Sequence, residues 1–119
     1  MIAENFRAYF EAFTGSASWE DLEPHFERVF HDDLSVKTAN GELDREGWKE
    51  SVKLLLAAGT TVKIDSIRFD GQSLFYSAVI TKADGTVMKP MSKAAVQDGK
   101  LVRVEPINKL EYTIIAGSN

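Results

Sequence analysis

The stretch FDGQSLFYSAVITKADGTVMKPMSKAAVQDGKLVRV, Phe69 to Val104, decides the fold. Three Asp-Gly pairs, Asp70-Gly71, Asp84-Gly85 and Asp98-Gly99, punctuate runs rich in β-branched, aromatic and small apolar residues. Asp-Gly suits two-residue hairpin turns because their central residues take positive φ, which glycine adopts freely and aspartate tolerates. The turns predict an antiparallel meander with strands at Thr61 to Phe69, Ser73 to Lys82, Thr86 to Gln97 and Lys100 to about Ile115. In the first strand the apolar phase shifts at Ser66-Ile67, from Val62 and Ile64 to Ile67 and Phe69, which predicts a β-bulge. In the second, Leu74, Tyr76, Ala78 and Ile80 alternate with Phe75, Ser77, Val79 and Thr81. Both faces are largely apolar, so both are expected to be covered.

Upstream of the meander the period is helical. Ile2, Phe6, Phe10 and Phe13 recur on one face, with Tyr9 beside them, in a helix ending before Gly15. Ser18 can cap the next helix with Asp21 at the capping-box position. Pro24 sits poorly deep in a helix, so the second helix is expected to begin near Asp21, with Leu22, Phe26, Val29 and Phe30 as its buried stripe. From Asp33 the period becomes two, with Leu34, Val36 and Thr38 on one side of a short strand. Asn40-Gly41 reads as a turn, Asp44 as the cap of a third helix, Trp48, Val52 and Leu55 as its inner face, and Gly59 as its stop. Helices followed by hairpins give an α+β layer fold, in a chain whose 119 residues fit a single domain over 1–119.

Composition excludes several functions. At 44% hydrophobic and 27% charged residues, the chain belongs with globular rather than disordered proteins. A net charge of −4 without a Lys/Arg cluster argues against nucleic acid and anionic membranes as partners. No apolar run approaches the ~18 residues of a membrane span, no signal peptide is visible, and cysteine is absent; a cytoplasmic location is the expectation. His31-Asp32-Asp33 invites reading as a metal or catalytic cluster. Adjacent acids in an extended segment point to opposite faces, and the only other histidine is His25, so the seam between helix and strand is the better reading. No metal and no cofactor are expected.

The segments FRAYFEAF, FHDDLSV, GELDREGW and AAVQDGKLVRV, in this order and spacing, resemble the nuclear transport factor two-like superfamily, which includes SnoaL-like polyketide cyclases and ketosteroid isomerases. The resemblance runs from about Ile2 to Asn108. It implies a cystatin-like cone, with three helices packed on a strongly curved antiparallel sheet around an apolar cavity, and frequent dimerisation through the sheet. A ketosteroid isomerase needs a carboxylate base at the end of the first strand, a tyrosine from the first helix and a protonated acid on a later strand. Here Tyr9 matches the tyrosine, but Thr38 stands for the base and Ser92 roughly for the acid. Neither hydroxyl titrates near neutrality, so that isomerisation is not expected.

Strand alternation predicts the cavity wall: Leu34, Val36 and Thr38; then Met88, Pro90, Ser92, Ala94 and Val96; then Val102, Val104, Pro106 and Asn108. The expected ligand contacts are Tyr9, Phe13, Val36, Thr38, Trp48, Met88, Ser92, Val104 and Asn108, with no catalytic residue. The sequence thus reads as a binder of a small hydrophobic molecule, homodimeric through the outer face of its sheet. The alternative is a SnoaL-like isomerase, cyclase or dehydratase using His25, His31 or Asp32 with Tyr9 as a donor. A third reading keeps only the dimer, as an assembly module.

Overall fold

The structure, a computed structural model, describes residues 2–13 and 18–107. Its order is α1 (Ile2–Phe13), α2 (Trp19–Val29), β1 (Phe30–Thr38), β2 (Gly41–Asp44), α3 (Arg45–Ala57), β3 (Thr61–Phe69), β4 (Ser73–Thr81), β5 (Val87–Met88), β6 (Met91–Gln97) and β7 (Lys100–Pro106). The α+β class and the helices-then-hairpins order are as the sequence reads.

Local chemistry sets most boundaries. Ser18 and Asp21 form a reciprocal capping box, each side chain accepting from the other's backbone N–H at 3.3 Å. That box starts α2 at Trp19 rather than near Asp21, and Pro24 is carried inside the helix. The satisfied N-terminus outweighs the one backbone donor that proline removes. Asp44 caps α3 by accepting from the Gly47 N–H at 2.8 Å. Gly59, at φ +74, closes the same helix in a Schellman turn, with Gly59 N–H donating to Leu56 and Thr60 N–H to Leu55.

The strands form one mixed sheet in the order β2-β1-β7-β6-β4-β3, with β5 paired to β4. The three Asp-Gly turns join β3 to β4, β4 to β5 and β6 to β7. One feature departs from the expected antiparallel sheet: β1 lies parallel to β7, matching Ser35 with Arg103 and Val36 with Val104. Parallel neighbours need a long crossover, which α3 and the meander supply. A short β2 also folds back on β1, pairing Val36 with Leu43, where the sequence gives only a turn before Asp44.

Register shifts interrupt three strand pairs, that of β1 with β7 between Phe30 and Ser35, and two others bear on the expected phases. The first, between Ile64 and Ser66, lies where the phase shift in β3 predicts it. The second comes between Ala95/Arg103 and Val96/Leu101, leaving Val102 as the extra residue of β7. It corrects the expected inner phase. Leu101, completely buried, points inward near Val96 in place of Val102.

The core lies between the helices and the inner face of the sheet. Ile2, Phe6, Tyr9 and Phe13 from α1 meet Leu22, Phe26 and Val29 from α2, and all are buried. Phe26 and Phe30 rings sit 4.7 Å apart, and Tyr9 meets Phe30 edge-on at 5.3 Å. Each such side chain, fully buried, contributes roughly 1.5–3 kcal/mol. Glu27 ties α2 to α3 through Arg45 at 2.6 Å and Lys49 at 3.7 Å.

Candidate functional site

A hollow of about 210 Å³ opens between α1, α3 and the inner face of the sheet. Helix α1 supplies Tyr9, Phe10 and Phe13 to its wall, and α3 supplies Trp48, Val52 and Leu55. Strands β1 and β3 add Val36, Thr38 and Val62; β4 adds Tyr76, Ala78 and Ile80. The remaining side is Pro90 and Ser92 at the start of β6, with Val104 and Pro106 of β7. Strand alternation places these groups: Ser92 pairs with Tyr76, and Ala94 with both Leu74 and Val104, so directly opposed residues share the inner face.

Of the expected contacts, Tyr9, Phe13, Val36, Thr38, Trp48, Ser92 and Val104 are brought together on this wall. Met88 is not. It pairs with Ile80 and keeps the predicted phase, but β5 lies beyond the covered part of the sheet and Met88 is 46% exposed. Asn108 lies outside the described residues. Sequence reasoning left undecided which face of β4 looks inward, and so did not name Tyr76, Ala78 and Ile80 as contacts. The period-two pattern carried them, but both faces of that strand are apolar, which hides the choice.

The polar groups of the wall are few. The Thr38 hydroxyl is held in the β1–β2 turn, donating to the Gly41 carbonyl at 2.8 Å and accepting the Asn40 N–H at 3.2 Å. Burial drives the Tyr9 phenol far above the ordinary tyrosine range, and the nearby Tyr76 adds to the shift. Burial also raises Tyr76, partly offset by its hydrogen bond with Ser92. Both phenols are neutral donors at physiological pH. Trp48 contributes an indole whose Nε1 is buried without a hydrogen-bond partner. Among the described residues the wall has no carboxylate and no imidazole; Lys37, exposed on β1, is its single charged residue.

The histidine–acid stretch sits elsewhere. His31 Nδ1 accepts the Asp33 N–H at 3.0 Å, and Nε2 lies 3.3 Å from Asp98 Oδ2 in the β6–β7 turn. This is a seam joining the start of β1 to the Asp98-Gly99 hairpin. Asp98 itself has φ +55, and its side chain makes the contact with His31 from that turn. His25, His31 and Asp32 are all absent from the hollow's wall. Among the described residues no group of three or more His, Cys, Asp or Glu could hold a metal ion, and no helix is long and apolar enough to cross a membrane.

No protein-family model matches the sequence, and neither does any curated protein. Solved structures do match the fold. Wild-type IdmH, a candidate polyketide cyclase from Streptomyces antibioticus, is 17% identical at a TM-score of 0.68, over 100% of this chain and 99% of that one. An NTF2-like protein of unknown function from Cytophaga hutchinsonii is 8% identical at 0.70, over 90% and 88%. A de novo designed protein with a curved β-sheet is 13% identical at 0.69, over 98% and 92%. Fold alone does not settle function. What the likeness establishes is the fold: this chain has the helix-covered, curved-sheet architecture of NTF2-like proteins, as the sequence resemblance implies.

Proposed function

We propose that this protein binds a small, largely apolar molecule in the hollow beneath its helices, without acid–base chemistry of the ketosteroid isomerase kind. The observation that carries the reading is the wall itself, aromatic and aliphatic with a few neutral donors. Pockets of this kind bind through apolar area, and a few polar atoms fix orientation. Size narrows the ligand. An apolar cavity of about 150 Å³ accepts benzene, and drug-sized ligands take roughly 300–1,000 Å³. A hollow of about 210 Å³ suits one or two fused rings, whereas a four-ring skeleton would protrude.

The alternative is a cyclase, isomerase or dehydratase, and it draws support from the fold shared with IdmH. Acid–base help is typically worth ~10²–10⁴-fold, and it needs a group that titrates near the working pH within reach of the substrate. Thr38 and Ser92 do not titrate there, and His25, His31 and Asp32 lie off the wall. Binding is therefore the better supported reading.

Indane, an uncharged two-ring hydrocarbon, is the probe for it. Wild-type protein is expected to show a saturable rise in Tm with indane, and Ala78→Leu, which fills the hollow from the buried face of β4, is expected to abolish it. Small-to-large changes cost about 1–3 kcal/mol, so the variant should remain folded enough to measure. An unchanged Tm of the wild type at saturating indane, or an equal rise in the variant, would overturn the proposal.

We further propose a homodimer through the outer face of the sheet. Phe75 and Val79 give that face an apolar strip beside the Lys93–Glu105–Arg103 ion pairs, at 3.2 and 3.6 Å. Its polar content exceeds what β4 alone implies, which fits a modest contact better than a greasy one.

A further inference from the structure

The strand line beside β7 outlasts it. β5 and β6 keep one register against β4, from Val87 opposite Thr81 to Ala95 opposite Ser73, so they form a single line interrupted near Pro90. Proline has no N–H to give its partner Ala78, although its carbonyl still accepts the Ala78 N–H at 3.0 Å. On the other side, β7 pairs with β6 as far as Pro106 opposite Ser92, and the Ile107 N–H still donates to the Met91 carbonyl at 3.0 Å. The ladder is intact at the last described residue, with the edge of β5 still ahead of it. Among the described residues β5 has β4 on one side and no strand on the other. Val87 and Met88 are 52% and 46% exposed. A free apolar edge of this kind is a template for a further strand.

The sequence supplies one. Twelve residues, 108–119, follow Ile107, with strand-favouring Leu110 and Tyr112 among the first five. Continuing the pairing of Pro106 with Ser92 sets Asn108 opposite Pro90, Leu110 opposite Met88 and Glu111 opposite Val87. Ile107 and Met91 are a hydrogen-bonded pair, so Lys109 with Lys89 and Glu111 with Val87 are the next ones. Pro90 then falls at a non-hydrogen-bonded position, where its missing N–H does not matter. Lys109 would face Lys89 on the outer side, and the diagonal Glu111 offsets that like charge.

We propose that residues 108–111 continue β7 along the free edge of β5 in the same chain. This sets Leu110 against Met88, and Asn108 among Pro90 and Pro106 on the wall of the hollow. The pairing stands apart from the binding reading above; the consequence for the ligand rests on it.

The full-length chain has no cysteine, so introduced pairs read the register directly. In Met88→Cys/Leu110→Cys the sulfurs meet across a non-hydrogen-bonded pair, whose Cα spacing of about 4.5 Å suits a disulfide. In Met88→Cys/Lys109→Cys they lie on opposite faces. Mild oxidation of the native protein is expected to close the first pair within one chain at least about tenfold faster than the second. Amide hydrogen exchange of the wild type needs no variant to fold: the Lys109 and Glu111 N–H groups should be protected, and the Leu110 N–H, facing away from β5, should not. Equal closure rates, or fast exchange at Lys109 and Glu111, would overturn the proposal. A disulfide between two chains would overturn it too, giving the edge to a second copy. Asn108→Asp is expected to weaken indane binding about tenfold at pH 8, by setting a carboxylate against an apolar ligand. An unchanged Kd would take Asn108 off the wall. Failure of indane to bind the wild type would remove the binding reading, and the disulfide and exchange results would still decide the strand.

Discussion

Tyr9 and Tyr76 show how burial decides what a residue can do. Each phenol is held in its neutral form because ionisation would place a charge among aromatic rings, Phe6 at 4.7 Å from Tyr76 and Phe30 at 5.3 Å from Tyr9. In the unfolded chain the same phenols ionise near their usual value of about 10. Below that pH both states hold the protons and stability is unaffected. Above it the unfolded state releases protons that the folded state retains, so stability falls as pH rises, by up to about 1.4 kcal/mol per pH unit for each tyrosine. Denaturant melts between about pH 9 and 11 are expected to show that slope, and Tyr9→Phe to remove one tyrosine's share of it. An identical slope in the variant would mean that Tyr9 is not the group responsible. At this scale the sequence was informative about identity and poor about commitment. Thr38 and Ser92 could be read as hydroxyls where an isomerase holds acids. That Thr38 is consumed by a turn, and that Trp48 is left over, depends on partners such as Gly41 whose contacts exist only once the chain has folded.

Among elements, those governed by neighbours in sequence were the legible ones. The Ser18–Asp21 box, the Asp44 cap, the Gly59 stop and the three Asp-Gly hairpins all rest on contacts within about five residues, so the residue types announce them. The bulge in β3 was legible too, because a break in alternation is itself local. The illegible features were non-local. The parallel pairing of β1 with β7 joins residues almost seventy positions apart, and the Val102 bulge answers to the strand beside it rather than to its own pattern. The start of α2 offers a quantitative check. Ser18 both accepts the Asp21 N–H and holds the helix start upstream of Pro24, so Ser18→Ala should cost about 1 kcal/mol of stability. A chemical-denaturation midpoint unchanged by the substitution would show that the helix does not depend on its cap.

For the whole molecule, the fold and the hollow must be weighed separately. The fold is shared with a candidate polyketide cyclase, a protein of unknown function and a designed chain, so it constrains shape and leaves chemistry to the side chains. The outer face of the sheet bears on assembly. Analytical ultracentrifugation at micromolar concentration is expected to give a species of twice the 13.2 kDa chain. A single 13.2 kDa species at low salt would sink the dimer. The inner face bears on function, and its defining property is a wall that, among the described residues, holds no carboxylate and no imidazole. The direct measurement is the Kd of uncharged indane, by calorimetry, across about pH 5 to 9, the range in which a histidine or a burial-shifted carboxylate would titrate. A Kd constant within about threefold is expected. A sigmoidal change of tenfold or more, equivalent to a group whose pKa moves by about one unit on binding, would contradict it.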